Sequence, residues 1–478
     1  MYWSYFLFHF MLDIERGGYM HLNELEYLKI YNLYLNKLLS GNNLEENEKE
    51  ILKKISIYLK DNQTKANLQV YKIGTLLDYS DKLKEGFTND DVKKWYLEDE
   101  NYVSLCKKIT KKNHEKRDYM FGYPANMVYP SATVDYLRNL ESNNYLMNSC
   151  GDPYEKGNYQ MDNKEIERMI IDLFIEKFSL EKDNFWGYIT TGGTEGNVFG
   201  INNGLLRYPN ANLYYFKDAH YSVSKSKISN NKMKEYETDD IESMLLDIIH
   251  NYESNGIPAI LFLTYGTTKD GKIDDIFIIK RILELKGIPY YLHLDGALYG
   301  GIPNNQINAP LINIKDINPD SISVSFHKYL GVNRCNGIVL SKKNDKDNYI
   351  DYIGQNDTTV AGSRDFLAYS TYQQIKEVLT RSNPNTFNEN IEYIKDLFSE
   401  NNISYVRGNN NGNIFVIEKP SNELCEKYQL ATFEEDGKEY AHVIVFPFHK
   451  KEIIKELVDE LKKEKENVII MKKVLNEK

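Results

Sequence analysis

The chain has 478 residues, of which 41% are hydrophobic, so it is long enough for one large domain with smaller ones attached. Its formal net charge is -11, from 59 basic and 70 acidic residues, which argues against nucleic acid as the main partner. The four cysteines show no CxxC spacing, which indicates a reduced, cytoplasmic compartment without a disulfide framework.

The N-terminal part of the chain is predicted to lie outside the main domain. Met1–Leu12 is aromatic and apolar, but it lacks the features of a signal peptide and is shorter than the about 18 apolar residues that span a membrane. We interpret it as a packing or interface segment. Amphipathic runs open at Leu22 and Glu46. Residues 1–118 are therefore predicted to form a helical extension that covers or dimerises the main domain.

The middle of the chain, residues 119–345, alternates strand-like and helix-like segments, which predicts an α/β domain with a mostly parallel sheet. The predicted strands are Phe185–Thr190, Asn212–Phe216, Ala259–Thr264, Tyr290–Asp295, Ser321–Phe326 and Gly337–Leu340. Helices are predicted at Lys164–Phe178 and Asp275–Lys286. Ligands of such sheets bind at the carboxyl ends of the strands, so the residues that follow the strands are the candidates for a site.

The remaining residues, 346–478, are predicted to contain a smaller α+β domain. Strand-like runs at Gly412–Ile417 and His442–Phe446 precede a charged helical run from Lys450 to Glu466. The chain contains no internal repeat, no Walker A pattern and no GxGxxG pattern.

The first strand end carries the sequence TTGGTEGN at Thr190–Asn197, before a helical run at Val198–Leu206. Glycines let the backbone approach an anion, and a helix N-terminus offers unpaired N–H groups and a positive dipole end. Thr194 adds a hydroxyl donor beside Gly193. The pattern suits a single phosphate group, although a glycine-rich segment before a helix is often only a turn.

Two further strand ends carry His220 and Thr267. His220 could stack on a flat ring, shuttle a proton or fill a loop. The hydroxyl of Thr267, in the sequence YGTT, could position a phenolate or a carboxylate, but this segment is equally consistent with a turn.

Asp295 ends a predicted strand among apolar neighbours. An unpaired buried charge is costly, so this acid requires a cationic partner, and the N–H of a pyridinium ring would be one. His293 points to the same side of the strand, so a metal pair is conceivable. No third ligand is evident, and we therefore expect no metal and interpret His293 as a core residue.

Lys328 closes the sequence SFHK at the end of another strand. Partial burial and positive neighbours lower the pKa of a lysine, so that its neutral amine becomes a nucleophile. The alternative is a surface lysine just past a strand end.

Four strand ends together provide a phosphate cradle, a stacking imidazole, a carboxylate and a lysine. This set of groups matches one cofactor, pyridoxal 5′-phosphate. Its aldehyde would form a Schiff base with Lys328, and Asp295 would keep its ring nitrogen protonated.

These segments resemble a known family, the group II pyridoxal-phosphate-dependent amino acid decarboxylases, and most closely its bacterial histidine decarboxylase branch. They occur in the family's order: Phe121–Pro124, Cys150–Pro153, Gly187–Asn197, Leu213–Val223, Gly266–Thr268, Tyr290–Ala297, Ser325–Lys328 and Ile350–Arg364. The resemblance implies fold type I (aspartate aminotransferase-like) for the large domain. It also implies decarboxylation of an L-amino acid, with histidine the best single choice.

The resemblance further implies roles for single residues. Lys328 would be the Schiff-base lysine, and His220 would stack on the ring and contact the substrate. Asp295 would bind the ring nitrogen, with Ala297 packing beneath the ring. Thr267 would lie near the ring hydroxyl or the substrate carboxylate.

The same resemblance assigns the phosphate site and the subunit interface. Four residues would contact the phosphate: Gly193, Thr194, Ser325 and His327. The family is dimeric, so a homodimer with active sites at its interface is expected. Tyr352–Arg364 would be a mobile lid that contributes to the neighbour's site, with Tyr352 at the substrate. Gly151–Tyr159 would line the substrate pocket.

The chain also departs from the family. Gly296 stands where alanine is common, Phe326 stands where the close branch has glycine, and Val332–Asn336 replaces a proline-rich stretch. Arg334 could pair with an acidic substrate or lie on the surface. Open alternatives are decarboxylation of serine or an acidic amino acid, and another pyridoxal-phosphate reaction such as transamination or a desulfuration that would use Cys335. A non-catalytic homologue whose N-terminal helices bind a partner is the alternative from another class.

Overall fold

The structure, a computed structural model, describes residues 24–62, 67–142, 148–304, 312–343, 348–364, 368–381 and 383–476. The predicted interface segment Met1–Leu12 lies outside these residues. The chain divides into two units, Met1–Glu115 and Lys116–Lys478. The domain limits predicted at residues 118 and 345 stay predictions.

The first unit is helical. Its helices are α1 (Glu24–Leu39), α2 (Glu46–Asn62), α3 (Asn67–Lys84) and α4 (Asn89–Lys116). Apolar residues recur three or four positions apart, and the pairs Leu52–Ile55 and Ile73–Leu76 are almost fully buried in one cluster. This spacing gives the first three helices an apolar face each, and these faces form the core of the unit, to which α4 adds Val92.

The second unit contains a central sheet and a smaller one. Its strands are β1 (Ser149–Cys150), β2 (Phe185–Thr190), β3 (Asn212–Phe216), β4 (Met233–Tyr236), β5 (Ala259–Thr264), β6 (Tyr290–Asp295), β7 (Ser321–Ser325), β8 (Gly337–Lys342), β9 (Tyr349–Ile350), β10 (Gln355–Asn356), β11 (Ser363–Arg364), β12 (Tyr405–Val406), β13 (Ile414–Glu418), β14 (Ala431–Glu435) and β15 (Lys438–Ile444). Its helices are α5 (Ala132–Ser142), α6 (Lys164–Lys177), α7 (Gly193–Arg207), α8 (Ile241–Asn255), α9 (Ile276–Leu285), α10 (Ile314–Ile317), α11 (Ala368–Arg381), α12 (Pro384–Glu400), α13 (Asn422–Lys427) and α14 (Lys451–Asn476).

The central sheet has seven strands in the order β2-β8-β7-β6-β5-β3-β4. Only β8 runs antiparallel to its neighbours, and the other pairs are parallel. Strand β5, with the sequence AILFLT, is buried along its whole length, as expected for a strand covered on both faces. Thr264 pairs with Asp295, and Asp295 pairs with Ser323, so the carboxyl ends of β5, β6 and β7 lie side by side.

Strands β2, β3, β5 and β6 have the predicted limits, while three other predictions need correction. Strand β7 ends at Ser325 rather than Phe326, and β8 extends to Lys342. Helix α7 begins at Gly193, so the glycine-rich segment is its first turn and not a loop before Val198. Strand β4, with the sequence MKEY, was not predicted, because this edge strand is too polar to show an apolar pattern.

The smaller sheet is antiparallel, in the order β12-β13-β15-β14. The strand predicted at His442–Phe446 needs correction, because β15 begins earlier, at Lys438, and ends at Ile444. Strand β15 forms a hairpin with the unpredicted β14. Asp436 and Gly437 close this hairpin with positive φ angles of 50° and 71°. Two positive φ angles are typical of the two-residue hairpin turn that an Asp-Gly pair favours. Within the described part of the chain, no helix combines the length and apolar composition that crossing a membrane requires.

Candidate active site

The parallel strands bring the predicted site residues to one edge of the central sheet. His220 follows β3, Thr267 follows β5, Asp295 ends β6 and Lys328 follows β7. We call the group Gly193, His220, Asp295, Ser325 and Lys328 the strand-end site.

The start of α7 closes tightly on β7. The backbone N–H of Gly193 donates to Ser325 Oγ at 3.2 Å. A Cβ atom on Gly193 would lie 2.6 Å from that oxygen, so only glycine fits there without a shift. A Cβ atom on Gly192 would lie 3.8 Å from His327 Cε1. This corner offers the backbone of Gly193, the hydroxyl of Ser325, the imidazole of His327 and the N-terminus of α7, with Thr194 partly buried beside them. These groups fit a phosphate group.

Lys328 is partly buried beside Asp295. Burial lowers the pKa of its amine below the ordinary value, and the negative charge of Asp295 opposes this effect. The net shift increases the fraction of neutral amine, the form that attacks a carbonyl carbon.

The carboxylate of Asp295 is buried and accepts two hydrogen bonds. Oδ1 accepts from the backbone N–H of Ala297 at 3.0 Å, and Oδ2 accepts from Asn197 Nδ2 at 2.8 Å. Both donors are neutral. A protonated ring nitrogen would supply the countercharge that a buried carboxylate requires, so the site fits pyridoxal phosphate.

His220 caps the short 3₁₀ helix Tyr221–Lys225. Its Nδ1 lies 2.8 Å from Ser222 Oγ and accepts a hydrogen bond from the backbone N–H of Ser222 at 3.3 Å. Burial lowers the pKa of His220, Lys328 and Lys225 lower it further, and Asp295 opposes the shift. The net shift favours the neutral form of the ring.

Thr267 lies at the predicted strand end, but its hydroxyl is engaged in a turn. Oγ1 donates to Asp270 Oδ1 at 2.5 Å and accepts from the backbone N–H of Lys272 at 3.0 Å. The catalytic role of Thr267 stays a prediction.

Asn197 and Ser222 complete the site, and no role was assigned to them from the sequence. Asn197 Nδ2 donates to Ser222 Oγ at 2.9 Å as well as to Asp295. Its Oδ1 lies 3.0 Å from His293 Nε2 and accepts from the hydroxyl of Ser323. Asn197 lies in the TTGGTEGN sequence, but its partners come from strands far along the chain, so the motif alone did not indicate its contacts.

His293 is a core residue, as interpreted. Its Nδ1 lies 2.7 Å from Ser321 Oγ, and burial lowers its pKa to about 4. Among the described residues, no group of three or more His, Cys, Asp or Glu side chains could hold a metal ion.

Two segments beside the sheet, residues 150–158 and 349–364, form what we call the loop pair. The ammonium of Lys164 donates to the backbone oxygens of Asp152 and Glu155 at 2.8 and 3.0 Å. It also donates to Gln355 Oε1 at 2.6 Å, which links the two segments.

The end of the predicted lid is buried. The guanidinium of Arg364 donates to both carboxylate oxygens of Glu167 at 2.9 and 3.1 Å and to the backbone oxygen of Gly151 at 2.8 Å. Tyr352 is 84% exposed, in contrast to the buried Gln355 and Arg364. The loop pair therefore has fixed ends and an exposed tip.

The departures from the family have a structural context. Phe326 is buried and stacks on Phe174 with ring centroids 5.4 Å apart, so it belongs to the core. A Cβ atom on Gly296 would lie 3.3 Å from Ile322 Cδ1, so alanine would be tight there. Arg334 and Cys335 are exposed.

Comparison with known proteins agrees with this geometry. The model of the pyridoxal-dependent decarboxylase conserved domain matches residues 207–379. Histidine decarboxylase of Pseudomonas entomophila is 33% identical over 361 residues, covering 72% of this chain and 86% of that protein. Serine decarboxylase 2 of Oryza sativa is 34% identical over 357 residues, covering 69% of this chain and 71% of that protein.

A solved structure shares the fold. L-methionine decarboxylase from Streptomyces sp. 590, in its internal aldimine form, has a TM-score of 0.61 at 19% identity and covers 79% of this chain and 96% of that chain. The identity of 33–34% to the histidine and serine decarboxylases shows that the chain belongs to the group II pyridoxal-dependent decarboxylase family. It is an amino acid decarboxylase of fold type I whose cofactor is pyridoxal phosphate.

Proposed function

We propose that this enzyme converts L-histidine to histamine and CO2 at the strand-end site. The observation that supports histidine is the pattern of relatives, because histidine decarboxylases outnumber serine decarboxylases among them. The histidine decarboxylase of P. entomophila also aligns over 86% of its length, against 71% for serine decarboxylase 2.

Bound pyridoxal phosphate supplies an electron sink for the charge that develops when a bond at the substrate Cα breaks. In this proposal, Gly193 and Thr194, with Ser325 and His327, hold the phosphate. Their N–H, hydroxyl and imidazole groups are the donors that a phosphate requires.

Three side chains around the ring carry the remaining roles. Lys328 contributes the neutral amine that anchors the cofactor, and Asp295 binds the ring nitrogen, with Ala297 packed against the ring. His220 covers the ring and orients the substrate. Groups that orient the substrate against the cofactor would determine which bond at Cα breaks, and so would select decarboxylation.

The outer contacts belong to Thr267 and Tyr352. Thr267 lies near the ring hydroxyl or the substrate carboxylate, and the exposed Tyr352 contacts the substrate from the lid. Such a lid excludes water and sets the rate of product release.

Decarboxylation of serine is the second candidate, supported by the 34% identity to serine decarboxylase 2. An assay of amine products across the twenty amino acids separates the two. Histamine from histidine is expected, and ethanolamine from serine with no histamine would replace the proposal. The absence of any amine and of CO2 release would reject both.

We further propose a cytoplasmic homodimer in which Tyr352 acts on the partner's site. Light scattering is expected to give twice the monomer mass. Co-expression of the Lys328→Ala and Tyr352→Ala chains is then expected to restore activity, because one site of each mixed dimer is intact. Mixed dimers without activity would place Tyr352 in its own subunit's site.

A further inference from the structure

The side chain of Asn197 connects two residues of the strand-end site, Asp295 and, through Ser222, His220. The orientation of its amide is fixed by its partners. Both carboxylate oxygens of Asp295 accept hydrogen bonds, so Nδ2 and not Oδ1 faces Asp295. Oδ1 on the other side accepts from the hydroxyl of Ser323 and from His293.

This orientation determines the direction of the next hydrogen bond. Nδ2 has two hydrogens, and they are directed to Asp295 Oδ2 at 2.8 Å and Ser222 Oγ at 2.9 Å. Ser222 Oγ therefore accepts from Asn197. Its own hydrogen is left for His220 Nδ1, which lies 2.8 Å away.

A second contact independently gives His220 Nδ1 the same role. The backbone N–H of Ser222, which can only donate, points to Nδ1 at 3.3 Å. Two donors thus converge on Nδ1, and a proton on that nitrogen would disrupt both hydrogen bonds.

We propose that Asn197 and Ser222 are positioning residues that fix His220 as a neutral imidazole with its proton on Nε2. The chain of donors runs from Asn197 through Ser222 to Nδ1, so Nε2 carries the N–H. Nε2 then offers a hydrogen-bond donor to an anionic group of the substrate or cofactor and does not accept a proton from it.

The proposal deepens the function proposed above, since it defines what His220 contributes to that site. It selects donation by His220 over proton abstraction at Nε2. Burial supports the neutral state, because it lowers the pKa of His220. The charged groups that act on the ring are Asp295 on β6, Lys328 after β7 and Lys225 on the 3₁₀ helix.

Nitrogen NMR of the purified holoenzyme, labelled with ¹⁵N in its histidine rings, tests the tautomer directly. The His220 signals are assigned by their loss in His220→Gln. The wild-type spectrum is expected to show an unprotonated Nδ1 and a protonated Nε2 without substrate present. A protonated Nδ1 in the wild type would overturn the proposal, and His220→Asn provides the same assignment where His220→Gln does not fold.

Ser222→Ala tests the contribution of the hydroxyl. A hydrogen bond to Nδ1 stabilises the neutral ring, so its loss should raise the titration midpoint of His220 by about 0.7 pH unit, equivalent to about 1 kcal/mol. Ser224→Ala is the matched control, because its hydroxyl donates only to the backbone oxygen of Tyr221 among its described contacts. An unchanged midpoint in Ser222→Ala would also overturn the proposal.

The outcomes separate this inference from the proposed function. The spectra report the tautomer whether or not any amino acid is converted. An inactive protein with a protonated Nε2 would refute the proposed function alone. An active decarboxylase with a protonated Nδ1 would refute the inference alone.

Discussion

The strand-end site and the loop pair lie in the same unit, but different interactions hold them. At the strand-end site, parallel strands fix the backbone, and hydrogen bonds from the uncharged side chain of Asn197 align the side chains. In the loop pair, the strands are only two residues long, and two buried cations, Lys164 and Arg364, hold the segments. The comparison indicates that the central sheet supplies the geometry at the first region, whereas buried cations reinforce short strand pairings at the second.

The largest effect is expected from Lys328→Ala. The variant lacks the amine that anchors the cofactor, so kcat for decarboxylation should fall by about 10³-fold or more. The yellow colour of the bound cofactor should also be lost. Lys343→Ala, an exposed lysine near the end of β8, is the control and should retain both. Full activity in Lys328→Ala would remove the strand-end site from the chemistry.

The next effect concerns the stability of the loop pair. Arg364→Met leaves the carboxylate of Glu167 buried without its cation, so the free energy of unfolding should fall by about 3–5 kcal/mol. Urea denaturation measures this loss. Adding Glu167→Gln removes the stranded charge and should recover part of the stability. A loss below about 1 kcal/mol in Arg364→Met would show that charge does not hold the loop pair.

Acid should destabilise the fold behind the strand-end site through the buried His293, which contacts Asn197. Burial lowers the pKa of His293 to about 4, so below about pH 6.5 the unfolded chain binds a proton that the folded chain does not. The stability that depends on neutral His293 is therefore lost as pH falls from 6.5 towards 4. The loss amounts to about 2 kcal/mol at pH 5 relative to pH 7.

The measurement is the difference between wild type and His293→Gln in urea denaturation at several pH values. A difference is needed because Asp274, whose pKa is raised to about 7 by burial, titrates in the opposite direction. The variant should lose less stability than the wild type between pH 7 and 5. Parallel pH profiles of the wild type and His293→Gln would contradict the lowered pKa of His293. His449→Gln provides a second case, since burial lowers the pKa of His449 to about 3.

The two regions also differ in how far the sequence predicts them. Strands β2, β3, β5 and β6 could be predicted because each is an apolar run buried by the fold, and the chemistry of their ends is local to a few residues. The role of Asn197 could not be predicted from the sequence, because it depends on the fold bringing Ser222 and Asp295 together at the Asn197 side chain. The Asp436-Gly437 turn was a signal for the hairpin β14–β15, but the polar strand β14 gave no apolar alternation to support it.

The loop pair was predicted only as a mobile lid and a pocket lining. The hydrogen bond from Lys164 to Gln355 joins residues 191 positions apart, and that from Arg364 to Gly151 spans 213. Neither side chain stands out in a sequence with 59 basic residues. Which cation is buried is determined by the three-dimensional fold and not by a local pattern.

The smallest expected effect tests whether Lys164 links the two segments. Lys164→Met removes three hydrogen bonds to neutral oxygens, which should lower the local opening free energy of the loop pair by about 1–2 kcal/mol. Limited proteolysis within residues 349–364 should then accelerate about tenfold, since cleavage follows the population of the open form. Lys156→Met, an exposed lysine of the same segment, should leave the cleavage rate unchanged. Equal rates in both variants would mean that the buried ammonium of Lys164 contributes no link between the segments. Other contacts, such as those of Glu155 with Asn356, would then hold the loop pair.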